Sequence, residues 1–344
     1  MRFSRRSIVR AVLGIGISVV ASWLVLRSVD LAAAADILRT ADPIWIAVMF
    51  ITVFLDVASR GGRWRVLLAP IASLPYRRVL GYTYIGYLAN NVLPARLGEL
   101  VRSHSLGEKE GIPRATVLGT VVVERVVDTV VVVAIASLSV LVLSIRGVMT
   151  SAVLLGLAFA SLLVIGLGIG VAAHRLPGAE GVAAYAARWP RLVALGRMLR
   201  EGLAVVAHPR TVMGALVFSG IAWAASICTF LAAGQAVGIE LTLAQGALLS
   251  SGVALATIVP SGPGYVGTFE LTAVSICALF GIERDLAFAM ALLVHVMILS
   301  VTCVGGVVSW IALRHRVAPV ATAEPAPSEV APTPVVARES TKPA

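Results

Sequence analysis

Polar side chains that could bind an anion lie inside otherwise apolar stretches of this chain. The first group has the pattern Asn90-Asn91-x-x-Pro94-x-Arg96-x-Gly98-Glu99, followed by Arg102. Proline and glycine should break a helix there, and a broken helix end exposes amide N–H groups that suit anions. Arg96 and Arg102 could hold a phosphate through charge-assisted hydrogen bonds. The alternative is a capping network at the membrane edge, with Glu99 paired to Arg96 or Arg102.

A second group, Glu124-Arg125-x-x-Asp128, lies in the first half of a long apolar helix. Glu124 and Asp128 are four residues apart and share one helix face, and Arg125 can reach Asp128 at a spacing of three. The three charges leave one carboxylate unpaired, and it needs a partner such as Arg96 or a proton. The group is either part of a polar binding site or a buried ion pair that fixes helix packing.

The third group is the run Pro260-Ser261-Gly262-Pro263-Gly264-Tyr265-Val266-Gly267-Thr268-Phe269-Glu270. Residues 262–267 match the Gly-x-Gly-x-x-Gly dinucleotide pattern, but no strand–helix unit surrounds them and proline occupies a variable position. As an unwound turn in a discontinuous helix, the run would offer backbone groups to a substrate. Its candidate binding residues are Ser261, Gly262, Gly264, Tyr265 and Glu270. The alternative is the tight tip of a helical hairpin.

Asp56 and His295 are single ionisable residues in otherwise apolar segments. A lone buried histidine is more often a satisfied packing residue than a functional one. The sequence contains no Ser-His-Asp set, Walker loop, kinase motif or His/Cys metal spacing. We therefore expect no catalytic residue, no metal and no cofactor, and we expect that the chain is not an enzyme.

The composition requires a bilayer around these groups. Of 344 residues, 58% are hydrophobic and 13% are charged, with a mean hydropathy of +0.94. Soluble domains carry about twice that charge fraction, and a single soluble core stops growing at about 250–300 residues. The net charge of +10 comes largely from short arginine clusters between apolar runs. That pattern is typical of cytoplasmic membrane loops, so we expect no nucleic-acid partner.

Apolar runs of about 20 residues predict an all-α polytopic membrane protein. About six full transmembrane helices are expected, at residues 8–26, 44–59, 117–143, 151–173, 212–233 and 286–313. The first is either a cleaved signal peptide or an uncleaved anchor, and its long apolar core favours the anchor. Residues 1–316 should form the transmembrane domain, and the proline-rich residues 317–344 should be a disordered cytoplasmic tail.

Two further apolar stretches, residues 79–97 and 243–280, contain the proline and glycine breaks. If each returns to the membrane face from which it entered, 21 Lys and Arg residues lie on cytoplasmic loops and 4 lie outside. This count places Arg60, Arg63 and Arg102 in loops. The bias agrees with the positive-inside rule. We therefore predict two re-entrant or broken helical hairpins, the first entering from the cytoplasm and the second from outside. Both termini should lie on the cytoplasmic side of the inner membrane.

Together the three motifs resemble the transmembrane family of lysylphosphatidylglycerol synthase and flippase proteins. The resemblance spans roughly residues 10–313 and also includes Gly86, four residues before Asn90. It implies a multi-helix, flippase-like module of the inner membrane with re-entrant helices. It also implies that the polar cavity residues include Arg96, Glu99, Arg102, Glu124, Arg125, Asp128 and Glu270. Relatives that aminoacylate lipids have a large soluble domain after the membrane part, so lysyl transfer is not expected of this chain.

The leading hypothesis is a lipid flippase or transporter for an anionic phospholipid or a polyprenyl-linked glycan. The similar placement of proline, glycine and glutamate in the two broken segments hints at an inverted repeat. One rival is a membrane enzyme acting on lipid-linked phosphate, with Glu99 or Asp128 as general base. Another is a noncatalytic scaffold of a lipid- or glycolipid-synthesis complex. Expected protein partners are a second copy of the chain or a lipid-synthesis enzyme.

Overall fold

The computed structural model describes residues 5–93, 97–145, 148–172, 196, 201–257 and 261–314, and this part of the chain is all-α, without strands. Its α-helices with described ends are α1 (Arg5–Leu26), α2 (Leu31–Arg39), α3 (Pro43–Leu68), α4 (Tyr76–Val92), α5 (Gly98–Glu110), α6 (Arg114–Val142), α7 (Val148–Ala172), α8 (Pro209–Ala236), α9 (Leu243–Ala256), α10 (Thr268–Leu279) and α11 (Arg284–Leu313). Short 3₁₀ helices occur at Ala204–Ala207 and Pro263–Tyr265. The predicted tail, residues 317–344, lies outside the described residues.

Among the described residues, four helices are long and apolar enough to cross a membrane, namely α3, α6, α8 and α11. They contain four of the six predicted spans. The apolar part of α1 and helix α2 form a pair bent by 83°, which adds a fifth crossing if the pair is one span. Helix α7 contributes a shorter apolar segment, Leu154–Gly166. The protein is therefore a multi-pass membrane protein, and the predicted count of six full spans is not confirmed.

Local sequence signals explain where several helices begin and end. The Asp42 carboxylate accepts from the Ile44 N–H at 2.8 Å, and Pro43 occupies the first turn of α3, where its missing N–H costs nothing. Helix α9 begins with a capping box between Thr242 and Gln245. Gly111 ends α5 in a left-handed conformation with φ of 71°.

Helices α3 and α8 pack antiparallel along their length because small residues face large ones. Gly62 of α3 lies against Phe218 of α8, and Gly214 of α8 lies against Val66 of α3. The Thr52 and Thr229 hydroxyls hydrogen bond across this pair at 2.9 Å. Close approach of small residues is the usual way in which membrane helices gain packing contacts. This pair forms one side of the polar site described below.

Helices α4 and α5 pack as an antiparallel pair, called the first hairpin below. The Tyr82 hydroxyl donates to Glu110 at one end, and Asn90 accepts from the Gly98 N–H at the other. The helix break between Asn91 and Gly98 is therefore confirmed, while residues 94–96 lie outside the described residues. That this hairpin returns to the membrane face from which it entered stays a prediction.

Helices α9 and α10 form a second hairpin, in which Gly252 of α9 lies against Ile276 of α10. The turn between them, residues 261–267, packs against α1. The Gly262 N–H donates to the Ser18 hydroxyl at 2.8 Å, and Gly267 lies against Ser22. The largest apolar core lies behind this turn, between α8, α9, α10 and α11. Helix α1 thus supports the turn, and its Val25 belongs to the same core.

The topology count placed Arg60, Arg63 and Arg102 in loops, and these three placements are wrong. Arg60 and Arg63 lie within α3, and Arg102 lies within α5, where the side chains of all three are largely buried. The apolar run that predicted the span ended at residue 59, whereas the helix continues to Leu68. The reason is that carboxylates on a neighbouring helix satisfy the arginines, so the helix does not need to end at the first charge.

Substitution of Gly98 by alanine should destabilise the first hairpin. A Cβ at this position would collide with the Gly86 carbonyl and the Asn90 side-chain amide, so the two helices would have to separate. We expect a loss of about 1–3 kcal/mol, typical of overpacking. Thermal unfolding followed by size-exclusion chromatography in mild detergent measures it. Gly220→Ala is the matched control, because a Cβ there meets nothing within 4 Å; equal stability of the two variants would contradict the prediction.

Candidate functional site

A cluster of buried ion pairs connects α3 to α6. The Arg63 side chain is 0% exposed and donates to Glu124 at 3.0 Å, to both carboxylate oxygens of Asp128, and to the Ser219 hydroxyl at 3.0 Å. A charge this deep is tolerated only where partners replace its hydration. Arg63 therefore serves as a structural counter-ion that two acidic residues share.

Two more arginines complete the cluster from either side. Arg102 of α5 donates to Glu124 at 2.9 Å, and its guanidinium lies 4.5 Å from the centroid of the Trp64 ring. Arg60 of α3 donates to Asp56 at 2.8 Å and to Asp128 at 3.2 Å. Each carboxylate on α6 thus has arginine partners from other helices. Glu124, the carboxylate for which the motif itself offered no partner, is paired by Arg63 and Arg102.

Arg125 differs from the other arginines of the cluster because its side chain is 40% exposed. It donates to Glu124 at 3.1 Å and lies 3.3 Å from Asp128, which confirms the predicted contact at a spacing of three. Glu99 is more distant, at 4.0 Å, and the Arg125 Nε atom has no hydrogen-bond partner among the described residues. Arg125 can therefore turn toward a ligand without leaving a buried carboxylate unpaired.

Among the described residues, the ion-pair cluster has four acidic and four basic members, so their formal charges sum to zero. The acidic members are Asp56, Glu99, Glu124 and Asp128, and the basic members are Arg60, Arg63, Arg102 and Arg125. Such neutrality explains how many charges coexist at membrane depth. It also means that an incoming anion must compete with internal carboxylates for the arginines.

A cavity of about 570 Å³ opens beside this cluster and has a lining of mixed polarity. Its charged and amide residues are Asp56, Arg60, Asn90, Asn91, Glu99, Arg102, Arg125 and Asp128. Its apolar residues on α6, α7, α8 and α9, called the apolar wall below, are Val132, Phe159, Leu163, Trp223, Phe230, Val253 and Ala254. The apolar wall adjoins the charged residues, since the Arg60 guanidinium lies 5.4 Å from the centroid of the Trp223 ring. This volume is within the range of small-molecule sites. A ligand that fills it must have a polar part and an apolar part.

The two asparagines of the first hairpin line the cavity and also hold neighbouring helices together through hydrogen bonds. Asn90 caps α5 through the Gly98 N–H at 2.8 Å, and Asn91 donates to the Thr302 hydroxyl at 2.9 Å. The Asn91 amide also lies 3.3 Å from Cys303 Sγ. These contacts fix the end of α4 to α11. Arg96, the remaining basic residue of the motif, lies outside the described residues.

The turn of the second hairpin is held by a hydrogen-bonded pair. His295 Nδ1 contacts Glu270 Oε1, and His295 Nε2 lies 2.7 Å from the Gly264 carbonyl oxygen. Glu270 Oε2 accepts from the Gly267 N–H at 2.7 Å. Gly264, Tyr265 and Gly267 all have positive φ, and for tyrosine this conformation is strained. The hydrogen bonds at Gly264 and Gly267 explain how the strained backbone between them persists.

The predicted binding residues fall into three sets in the structure. Seven of them line the cavity: Asn90, Asn91, Glu99, Arg102, Arg125, Asp128 and Tyr265. Glu124 and Glu270 are buried behind the cavity wall and hold residues that line it. Ser261, Gly262 and Gly264 shape the turn, with Gly262 on the α1 side and the Ser261 hydroxyl buried without a hydrogen-bond partner among the described residues. Their roles in binding stay predictions.

Sequence reasoning did not place Arg60, Arg63 and His295 in the site. The spacing of Asp56 and Arg60, four residues apart on one helix face, is a signal that would have indicated a charged face on α3. Arg63 continues that face three residues later. His295 left no such signal, because its carboxylate partner is 25 residues away in the chain. Among the described residues, no group of three His, Cys, Asp or Glu side chains could hold a metal ion.

The fold and the site together define a polytopic α-helical membrane protein with a charged cavity between two helical hairpins. The chain matches the family described as the lysylphosphatidylglycerol synthase TM region over residues 11–306, and it belongs to that family. The family resemblance found in the sequence motifs is thereby confirmed.

Two curated proteins are similar to this chain. Glycosyltransferase AglD of Haloferax volcanii is 27% identical over 354 residues, covering 91% of this chain and 55% of its own length. The UPF0104 membrane protein MJ1595 of Methanocaldococcus jannaschii is 26% identical over 110 residues, covering 31% of this chain and 33% of its own length. The chain thus spans about half the length of the first relative and a third of the second.

The expectation that this chain is not an enzyme is contradicted by the first of these relatives. A protein named as a glycosyltransferase matches 91% of the chain. The expectation relied on the absence of known catalytic motifs, and that absence does not exclude a membrane domain that takes part in an enzymatic reaction.

Proposed function

We propose that this chain binds a lipid with an anionic headgroup and moves the headgroup across the inner membrane. The substrate class is an anionic phospholipid or a polyprenyl-linked glycan. The observation that carries the proposal is a cavity lined both by arginines and by a wall of apolar side chains. An amphiphile matches both kinds of lining at once, whereas a soluble anion would leave the apolar wall without a partner.

The exposure of Arg125 supports the headgroup site within that cavity. Arg125 faces the cavity and has a partly exposed side chain, while Arg102 and Arg60 present further guanidinium groups to it. Arginine can bind phosphate through two parallel hydrogen bonds. We assign Arg125 as the first contact for a phosphate, with Asn90 and Asn91 as neutral donors nearby.

The positions of the two hairpins support movement rather than static binding. The turn of the second hairpin lies near the end of the first, since a Cβ on Gly264 would lie 3.7 Å from the Asn91 carbonyl oxygen. In the proposed topology each hairpin enters from a different membrane face, so their contact closes the path between the faces. Separation of these two ends would open the cavity to one side.

A second candidate function is a part in glycosyl transfer to or from a lipid-linked phosphate. The observation that favours it is the match to a protein named as a glycosyltransferase. Three arginines hold Asp128, so Glu99 is the better candidate for a general base. Incubation of the purified chain with labelled polyprenyl phosphates and sugar donors would give a covalent product in this case and none for transport alone.

Substitution of Ala254 by tryptophan should abolish headgroup translocation. Ala254 belongs to the apolar wall of the cavity, so an indole there would occupy the space assigned to the lipid chain. We expect translocation of a fluorescent anionic lipid in proteoliposomes to fall to the rate of protein-free vesicles. The matched control is Leu141→Trp. Leu141 is a residue of α6 that is 73% exposed and does not line the cavity, so this variant should keep the wild-type rate.

Two outcomes would contradict the proposal. One is unchanged translocation by Ala254→Trp, and the other is a wild-type rate no higher than that of empty vesicles. A cavity-blocked chain that still complements a deletion strain would instead favour the scaffold hypothesis, with a lipid-synthesis enzyme or a second copy of the chain as partner.

A further inference from the structure

The hydrogen bonds of His295 require one more proton than a neutral imidazole and an ionised carboxylate carry together. The Gly264 carbonyl oxygen can only accept, so the Nε2 atom that lies 2.7 Å from it bears hydrogen. In a neutral imidazole, Nδ1 then presents a lone pair, and it faces Glu270 Oε1. A further proton must lie between Nδ1 and Oε1, bound to either atom. The pair is therefore neutral as a whole in this conformation.

We propose that the Glu270–His295 pair is a proton-binding site that closes the turn of the second hairpin and couples its opening to proton release. The proposal rests on the transport function proposed above and adds the ion that drives it. Glu270 ties the turn at the Gly267 N–H, and His295 ties it at the Gly264 carbonyl. The bound proton therefore connects the side chain that holds Gly267 to the side chain that holds Gly264.

Release of this proton would break the connection. The bond from hydrogen to Nδ1 or Oε1 breaks, its electron pair stays on that atom, and the proton passes to water. The pair then carries a charge of −1. The neutral imidazole has one N–H group, but both of its neighbours, the Gly264 carbonyl and the Glu270 carboxylate, are oxygen acceptors. Either the Gly264 contact or the Glu270 contact must be lost, because two acceptors do not hydrogen bond.

The site has a route to the cavity. His295, Phe269 and Tyr265 all line it, and the Phe269 ring stacks on the imidazole with centroids 4.4 Å apart. The stacked ring holds the imidazole plane in place between its two oxygen partners. Water that enters with a headgroup could accept the proton there.

The groups that line the same cavity as His295 come from several helices. The charged ones are Asp56 and Arg60 of α3, Glu99 and Arg102 of α5, and Arg125 and Asp128 of α6, and the phenols are Tyr87 and Tyr265. Helices α8 and α9 line it with Phe230, Ser226 and Ser250, and α1 contacts the turn through Ser18 and Ser22. The charged groups are paired with one another within the ion-pair cluster, so the carboxylate in direct contact with His295 is Glu270.

The test uses the Ser261→Cys variant as a reporter of turn opening. Ser261 is buried at the start of the turn, so a thiol there should react slowly with a maleimide while the turn is closed. The purified chain in nanodiscs is alkylated across a pH series, and the reaction of each cysteine is measured by peptide mass spectrometry. Buried Cys277 serves as an internal control for unfolding.

Glu270→Gln is the comparison variant because a glutamine amide can donate permanently to Nδ1, as the protonated pair does. Comparison at each pH cancels the ionisation of the reporter thiol itself. We expect the reporter to react about tenfold faster with Glu270 present than in Glu270→Gln at alkaline pH, and equally at acidic pH, as the loss of one buried hydrogen bond implies. Equal rates at every pH would overturn the proposal.

A second measurement covers the case in which Glu270→Gln does not fold. In chain labelled with ¹⁵N-histidine, the His295 signal is assigned by its loss in His295→Gln. The proposal requires a protonated Nε2 at acidic pH and a change in the protonation of the ring or its carboxylate partner as the reporter opens. An Nε2 without hydrogen at acidic pH would refute it.

The outcome is distinguishable from failure of the proposed function. Proton-dependent opening without headgroup translocation by the wild type would reject transport and keep the proton site. Translocation that ignores an imposed pH gradient, together with a reporter that does not respond, would reject the proton site and keep transport.

Discussion

Arg63→Met should cost the folded protein about 3–5 kcal/mol, the largest loss of stability expected from a single change in the ion-pair cluster. The side chain is fully buried and is shared by Glu124 and Asp128. Methionine fills much of the volume but leaves an uncompensated negative charge between α3 and α6. The melting temperature and the monodisperse yield in mild detergent measure the effect.

Arg65→Met is the matched control for this experiment. Arg65 lies two residues further along α3, is exposed, and donates to the Leu74 carbonyl oxygen. It should stay near wild-type stability. The double variant Arg63→Met with Asp128→Asn restores a neutral cluster and should recover part of the loss. If Arg63→Met and Arg65→Met have the same melting temperature, the structural role given to Arg63 is wrong.

Arg125→Gln should weaken lipid binding by roughly tenfold to a hundredfold, as loss of a hydrogen bond to a charged group predicts, while leaving the fold intact. Arg125 is the most exposed arginine of the cluster, and Arg63 and Arg102 remain to pair Glu124. Binding of a fluorescent anionic lipid to the chain in nanodiscs gives the change in Kd. A zwitterionic lipid with the same acyl chains should show little change.

Arg114→Gln is the control for Arg125→Gln. Arg114 begins the same helix, is mostly exposed and pairs with Glu108 outside the cavity. It should bind lipid like the wild type. A wild-type Kd for Arg125→Gln, or an equal loss for Arg114→Gln, would show that the cavity arginine does not contact the headgroup.

The parts of the fold that depend only on local sequence could be predicted. The breaks near Pro94 and Gly264 follow from proline and glycine chemistry, and the four long apolar helices follow from hydropathy alone. The end of α3 did not follow, because Arg60 and Arg63 look like loop charges until their partners on α6 are known. Those partners are 61 to 68 residues away, and no helix periodicity encodes them.

The site was predictable to a similar extent. The Glu-Arg-x-x-Asp spacing indicated a charged face on α6, and the contact of Arg125 with Asp128 is present. The partner of Glu270 was not predicted, since a single histidine in an apolar helix has an ordinary packing interpretation. Only the crossing of α10 and α11 brings His295 to that carboxylate.

The balance of four acids and four bases among the described residues has a consequence for the proposed transport. A pocket with a large positive excess would hold a phosphate for so long that each delivery would be slow. In the proposed cycle, the internal carboxylates would recapture the guanidinium groups as soon as the phosphate leaves, which would lower the barrier to departure. Such an arrangement would favour brief residence and rapid exchange rather than tight capture.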